Sequence, residues 1–170
     1  MGSRVKTMTQ DAMLVAIAML CSYLEGLIPL PVAGLKLGLA NLIVLSFSFC
    51  FGMLRAGRIS LVRVTLSAVL FGTPISFLFS FAGALSSFLA LWILRRFAAK
   101  AFSEIGISIL CAAFHHIGQI AAGAMLYGGF LIFTQLPLLL LLSVLTGGLI
   151  GALGLIVEKR ICFIQKGRSV

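Results

Sequence analysis

Residues 136–157 read LPLLLLLSVLTGGLIGALGLIV, an apolar run without a single charge that closes on Glu158, Lys159 and Arg160. A helix that crosses a bilayer needs about 20 predominantly apolar residues, and this stretch supplies them. The rest of the chain has the same character. Of its 170 residues 61% are hydrophobic and 10% charged, with a mean hydropathy of +1.20. A soluble domain is roughly half apolar and about a quarter charged, so there is too little polar surface here to coat a globule. The expected class is an all-α integral membrane protein.

Working outward from 136–157, five more apolar runs precede it. They cover 12–28, ending at the breaker Pro29 to Gly34; 35–54, opening into Arg55 and Arg58; 59–71, stopping at Gly72-Thr73-Pro74; 75–94, before Arg95 and Arg96; and 105–127, ending at Gly128-Gly129. Six spans and their hairpin loops consume the whole of 1–170, which leaves one membrane domain and no room for a soluble one. The run 59–71 is short, because a helix rises ~1.5 Å per residue and would reach only about 20 Å of a ~30 Å core. It must lengthen through Arg58, or tilt within the bundle.

Charge orients the spans. With both termini cytoplasmic, Arg4, Lys6, Arg55, Arg58, Arg63, Arg95, Arg96, Lys100, Lys159, Arg160, Lys166 and Arg168 fall inside and Lys36 alone falls outside. Lys and Arg concentrate in cytoplasmic loops, so this orientation is expected. The net charge of +9 is therefore a record of topology and not a nucleic-acid footprint. The first run, basic and then apolar, also has the outline of a signal peptide. It is longer than a signal core, no A-x-A site follows it, and it is taken as a span.

Chemistry is bounded as tightly. The acidic residues are Asp11, Glu25, Glu104 and Glu158, scattered along the chain, which excludes catalysis by clustered carboxylates. Cys21, Cys50, Cys111 and Cys162 show no C-x-x-C spacing, so neither a disulfide framework nor a zinc site is indicated, and they are taken as packing residues. No catalytic residue, metal or cofactor is expected in the chain itself.

Polar side chains at membrane depth are functional candidates because they must be paired or line a wet cavity. His115, His116 and Gln119 form the densest group, about eleven residues or ~16 Å from the inner end of their run. His115 and Gln119 are i and i+4 on one face, and His116 flanks it. Three roles stand open: a clamp between helices, a substrate contact, or a metal or proton site. Adjacent histidines diverge by about 100 degrees and lack a carboxylate or thiol to complete a metal site. Lys36 enters the second run beside a helix N-terminus that already favours anions. It would attract an anion, snorkel to headgroups, or neutralise Glu25. Asn41, about a turn and a half deeper, would cap, clamp or bind. Arg63 lies close to the inner loop and has a topological explanation, while Tyr127, Thr134 and Gln135 suit either an outer pocket or interfacial anchoring.

Small residues four apart let helix backbones approach in lipid. Gly34 and Gly38, Gly83 and Ser87, Gly118 and Ala122, and Gly147 and Gly151 have that spacing, and internal packing is the expected use. Ala12 and Ala16 form another such stripe, placed to meet either the bundle or a partner protein.

Four segments, in order, resemble the Gx transporter family, also called heptaprenyl diphosphate synthase component I. Gly34-Leu35-Lys36-Leu37-Gly38-Leu39-Ala40-Asn41 is similar to its P-G-x-K-L-G-L-A-N stretch. Arg63 to Gly72 resembles its R-x-x-L-x-x-x-L-F-G segment, Ser80 to Ser86 its S-x-A-G-x-L-S segment, and His115 to Gln119 its H-N-I-G-Q motif. The likeness runs from about Asp11 to Val157. It departs at His116, where the family usually has Asn, and at Val32-Ala33, which interrupt the Pro-Gly approach to Lys36.

That family in turn resembles the substrate-binding S components of energy-coupling factor (ECF) transporters, six-helix proteins of the bacterial cytoplasmic membrane. The resemblance implies capture of a small hydrophobic or amphipathic metabolite from outside through Lys36, Asn41, His115, His116 and Gln119. It also implies docking of a transmembrane ECF coupling subunit on Ala12 and Ala16, with ATP consumed by two partner ATPases. The family's other name implies instead a membrane accessory component of heptaprenyl diphosphate synthase. Prenyl chain elongation holds diphosphate through Mg²⁺ bridged by clustered aspartates. With Asp11 as its one aspartate, the chain would serve such a reaction without catalysing it.

Overall fold

The computed structural model describes residues 2–27, 52–98 and 101–166, and within them the chain is all helical. Lys36, Asn41, the glycine pair Gly34 and Gly38, and most of the run 35–54 lie outside the described residues. Five α-helices are α1 (Gly2–Gly26), α2 (Met53–Phe71), α3 (Pro74–Phe97), α4 (Glu104–Tyr127) and α5 (Leu136–Lys166), with a 3₁₀ segment, Phe130–Gln135, leading into the last. Among the described residues four stretches are long and apolar enough to cross a membrane: Val5–Gly26, Pro74–Phe97, Glu104–Tyr127 and Ile132–Ile156.

The helix boundaries have local causes. Thr73 accepts a hydrogen bond from the Ser76 amide at 3.1 Å and Pro74 occupies the first turn of α3, where its missing N–H is no loss. Ser103 caps α4 in the same way through the Gly106 amide at 3.1 Å. At the other end of α4, Gly128 takes the left-handed conformation, φ 60°, that only glycine adopts at little expense.

The start of α2 departs from expectation. The segment 53–58 reads in sequence as the end of one span and a basic loop, yet it is the first turn and a half of a helix that begins at Met53. The break falls at Gly52, whose φ of 88° lies in glycine territory. Arg55 can stay helical because its Nε donates to Asp11 Oδ1 of α1 at 2.6 Å. The lengthening anticipated for the short run thus goes past Arg58, and 19 residues give α2 a length of about 28 Å.

Neighbours in sequence are neighbours in space: α1 packs on α2, α2 on α3, α3 on α4 and α4 on α5. The contacts Asp11 with Arg55, Ser22 with Arg63 and Tyr23 with Phe71 advance together along both helices. Therefore α1 and α2 run parallel, whereas α2 and α3, joined by Gly72 and Thr73 alone, are antiparallel. All of Arg55, Arg58, Arg95 and Arg96 consequently lie at one end of the bundle.

Small residues set the tightest approaches. A Cβ on Gly118 of α4 would lie 2.6 Å from the Ala82 carbonyl oxygen, and against Ser86, on α3. One on Gly147 or Gly151 of α5 would meet the backbone of α4 at Ile109 Cα, 2.6 Å, or Ile105 Cα, 2.8 Å. These are the packing uses expected of the small-residue spacing. Beside Gly118, the Ser86 hydroxyl is 2.8 Å from the Phe114 carbonyl of α4 and 2.9 Å from the Ala82 carbonyl of its own helix. One hydroxyl proton serves both. Interhelical bonds of this kind average about 0.6 kcal/mol in membrane proteins, so Ser86→Ala is expected to lower unfolding free energy by about that amount. Equilibrium unfolding in mixed micelles measures it, and a loss above about 2 kcal/mol would contradict this reading of the bond.

Candidate functional site

Among the described residues, two polar places in the apolar interior bring several polar side chains together. The first belongs to α4. Ile107, Cys111, His115 and Gln119 follow one another at four-residue intervals along its buried face, with His116 and Ile120 beside them. The face passes from an apolar cluster of Leu91, Ile107, Cys111 and Ile150 to another of Phe79, Ile120, Ile132 and Leu139. His115, His116 and Gln119 form the polar layer between the two, all three buried. The His115 ring lies on the backbone of α3 at Gly83, where a Cβ would fall 2.6 Å from its Cε1. His116 Nδ1 donates to Gln119 Oε1 at 3.2 Å, an assignment that follows because a carbonyl oxygen can only accept. The two imidazoles meet edge to face with centroids 5.7 Å apart. Among the described residues no group of three His, Cys, Asp or Glu side chains is placed to hold a metal ion.

The second place lies between α1 and α2, and sequence reasoning passed over it. Arg63 is buried, not at the inner loop but about ten residues, or ~15 Å, along α2. Its Nη1 donates to Ser22 Oγ of α1 at 3.0 Å. Glu25, one turn further along α1 and 2% exposed, attracts the guanidinium electrostatically. Ser67, one turn beyond Arg63, has a buried hydroxyl with no hydrogen-bond partner among the described residues. The sequence signal was present: Ser22 and Glu25 stand three apart in an otherwise apolar run. Their partner was hidden by 41 residues of separation.

Of the residues singled out in sequence, His115, His116 and Gln119 are thus brought together. Lys36 and Asn41 lie outside the described residues. Ala12 and Ala16 are exposed on α1 and line a groove of about 440 Å³ against Ile59, Val62 and Leu66 of α2.

The profile of heptaprenyl diphosphate synthase component I matches residues 14–157, from within α1 to within α5. The chain belongs to that family. Both polar places lie inside the matched region, as does Ala16, while Ala12 falls just before it. No curated protein and no solved structure matches the chain. Within the family description, component I is one part of a synthase. In this member the single aspartate, Asp11, is already engaged by Arg55 at 2.6 Å.

Proposed function

We propose that the chain is the non-catalytic membrane component of a heptaprenyl diphosphate synthase and works with a partner that carries the catalytic aspartates. The family match carries this reading. The composition supports the division of labour: Mg²⁺-dependent prenyl transfer uses several clustered carboxylates, and the one aspartate here is committed to an ion pair. A component that is 61% hydrophobic would hold the synthase at the bilayer, where a product with a long hydrocarbon tail belongs.

In this reading 1–170 is one domain of six spans in the bacterial cytoplasmic membrane, both termini cytoplasmic. The parallel course of α1 and α2 is what this topology requires of its first and third spans. His115, His116 and Gln119 clamp α3 to α4 or contact a ligand, with Lys36 and Asn41 as further ligand contacts.

A second reading, substrate capture for ATP-driven partners of the ECF type, is favoured by one observation: Ala12 and Ala16 face outward, as a docking stripe for a coupling subunit would. The two are separated by reconstitution. The purified chain with Mg²⁺ is expected to form no prenyl diphosphate alone, and to raise product formation when an aspartate-rich prenyl transferase from the same cell is added in vesicles. Product formation by the chain alone, or no effect on the transferase, would refute the accessory role.

A further inference from the structure

We propose that the two grooves flanking α2 seat the two acyl chains of an anionic phospholipid whose phosphate rests on Arg58. One groove, about 300 Å³, lies between α2 and α3 and is walled by Gly57, Leu61, Val64, Ala84 and Phe88. The other, about 440 Å³, lies between α1 and α2 and is walled by Val15, Ala16, Ile59, Val62 and Leu66. Both walls are almost wholly apolar. The ridge between the grooves is exposed, with Leu61 at 55% and Val62 at 46%.

Arg58 is the feature the grooves share. It lines both of them, at the end of the bundle that also carries Arg55, Arg95 and Arg96. Arg58 is exposed, and its described hydrogen bond is a long one, Nε to the Leu54 carbonyl at 3.4 Å within its own helix. The nearby carboxylate does not oppose an anion, because Asp11 is neutralised by Arg55. An exposed cation that lines two apolar clefts matches a phosphate with two hydrocarbon chains, and basic sites of this kind between membrane helices hold anionic headgroups. Along α2 the first groove runs from Leu54 to Val64 and the second from Arg58 to Leu66, about 15 and 12 Å against a ~30 Å core, so each would hold part of a chain and release the rest to the bilayer. A prenyl diphosphate shares the anionic-amphiphile chemistry but has one chain, and would leave one groove open.

The test uses the full chain in mild detergent, titrated with phosphatidylglycerol, phosphatidylcholine of the same acyl chains, lysophosphatidylglycerol and farnesyl diphosphate, with occupancy read by native mass spectrometry. Phosphatidylglycerol is expected to bind about fivefold better than phosphatidylcholine, the contribution of one arginine near a charged headgroup. Arg58→Gln should abolish that preference. Leu85→Trp, an exposed position on the wall of the first groove, should weaken both two-chain lipids while keeping the preference. The proposal is overturned if Arg58→Gln retains the preference, if the one-chain lysolipid binds as well as the two-chain lipid, or if farnesyl diphosphate displaces phosphatidylglycerol at equal concentration. Docking of a partner helix on Ala12 and Ala16 would use the second groove, so a cross-link from Ala16→Cys to another protein in native membranes would also overturn it.

Discussion

Arg63→Leu is expected to destabilise the protein by on the order of 3–5 kcal/mol, the usual loss when one member of a buried charge pair is removed. The arginine itself is not the whole of that figure. Its removal takes from Glu25, which is 2% exposed, a cation that attracts it, and from Ser22 Oγ a donor at 3.0 Å. A buried carboxylate that loses a favourable positive charge is held less well in its ionised form. The double variant Arg63→Leu with Glu25→Leu removes both charges and is expected to lose clearly less than the sum of the single variants Arg63→Leu and Glu25→Leu. Arg63→Lys keeps the charge without the planar fork of donors, and should fall between wild type and Arg63→Leu. Equilibrium unfolding in mixed micelles, followed by far-UV circular dichroism, gives the values for wild type, the three single variants and the double variant. A single-variant loss below about 1 kcal/mol, or a double variant that loses the sum of the two singles, would show that Arg63 and Glu25 do not form a coupled pair.

Gly147→Ala and Gly148→Ala are expected to separate sharply although the positions are adjacent. A methyl on Gly147 would lie 2.6 Å from Ile109 Cα and 3.0 Å from the Ser108 carbonyl oxygen, both backbone atoms of α4 that no rotamer change can move. The helices must part, and overpacking of this kind costs about 1–3 kcal/mol. On Gly148 the same methyl meets nothing within 4 Å. There the higher helix propensity of alanine, worth up to about 1 kcal/mol, acts alone, and the variant should equal or slightly exceed wild type. The same unfolding measurement checks both. Equal effects at the two positions would mean that α4 and α5 do not meet at Gly147.

The contrast between Gly147 and Arg63 shows what was legible in the sequence. Helix packing by small residues leaves a local trace, a four-residue spacing, and Gly118, Gly147 and Gly151 all sit where α4 meets a neighbouring helix. The polar face of α4 was legible for the same reason, since His115 and Gln119 are one turn apart on a single helix. Arg63 was misplaced because its depth depends on where its helix starts. Counting from Ile59 sets it beside the loop; counting from Met53 sets it nearly three turns in. That start is fixed by two things a hydropathy scan does not see. One is the backbone conformation of Gly52, and the other is an ion pair between Arg55 and a residue 44 positions earlier. The partners of Arg63 are likewise on another helix, and nothing in periodicity brings Ser22 and Glu25 to it.

The accessory role rests finally on a partner. The chain, tagged and extracted from its native membranes in mild detergent, should bring with it an aspartate-rich prenyl transferase in a fixed ratio, identified by mass spectrometry, and the eluate should synthesise heptaprenyl diphosphate when Mg²⁺ and prenyl precursors are supplied. Recovery instead of a membrane coupling subunit with two ATPases, in an eluate without prenyl transferase activity, would contradict the account and assign the protein to solute uptake.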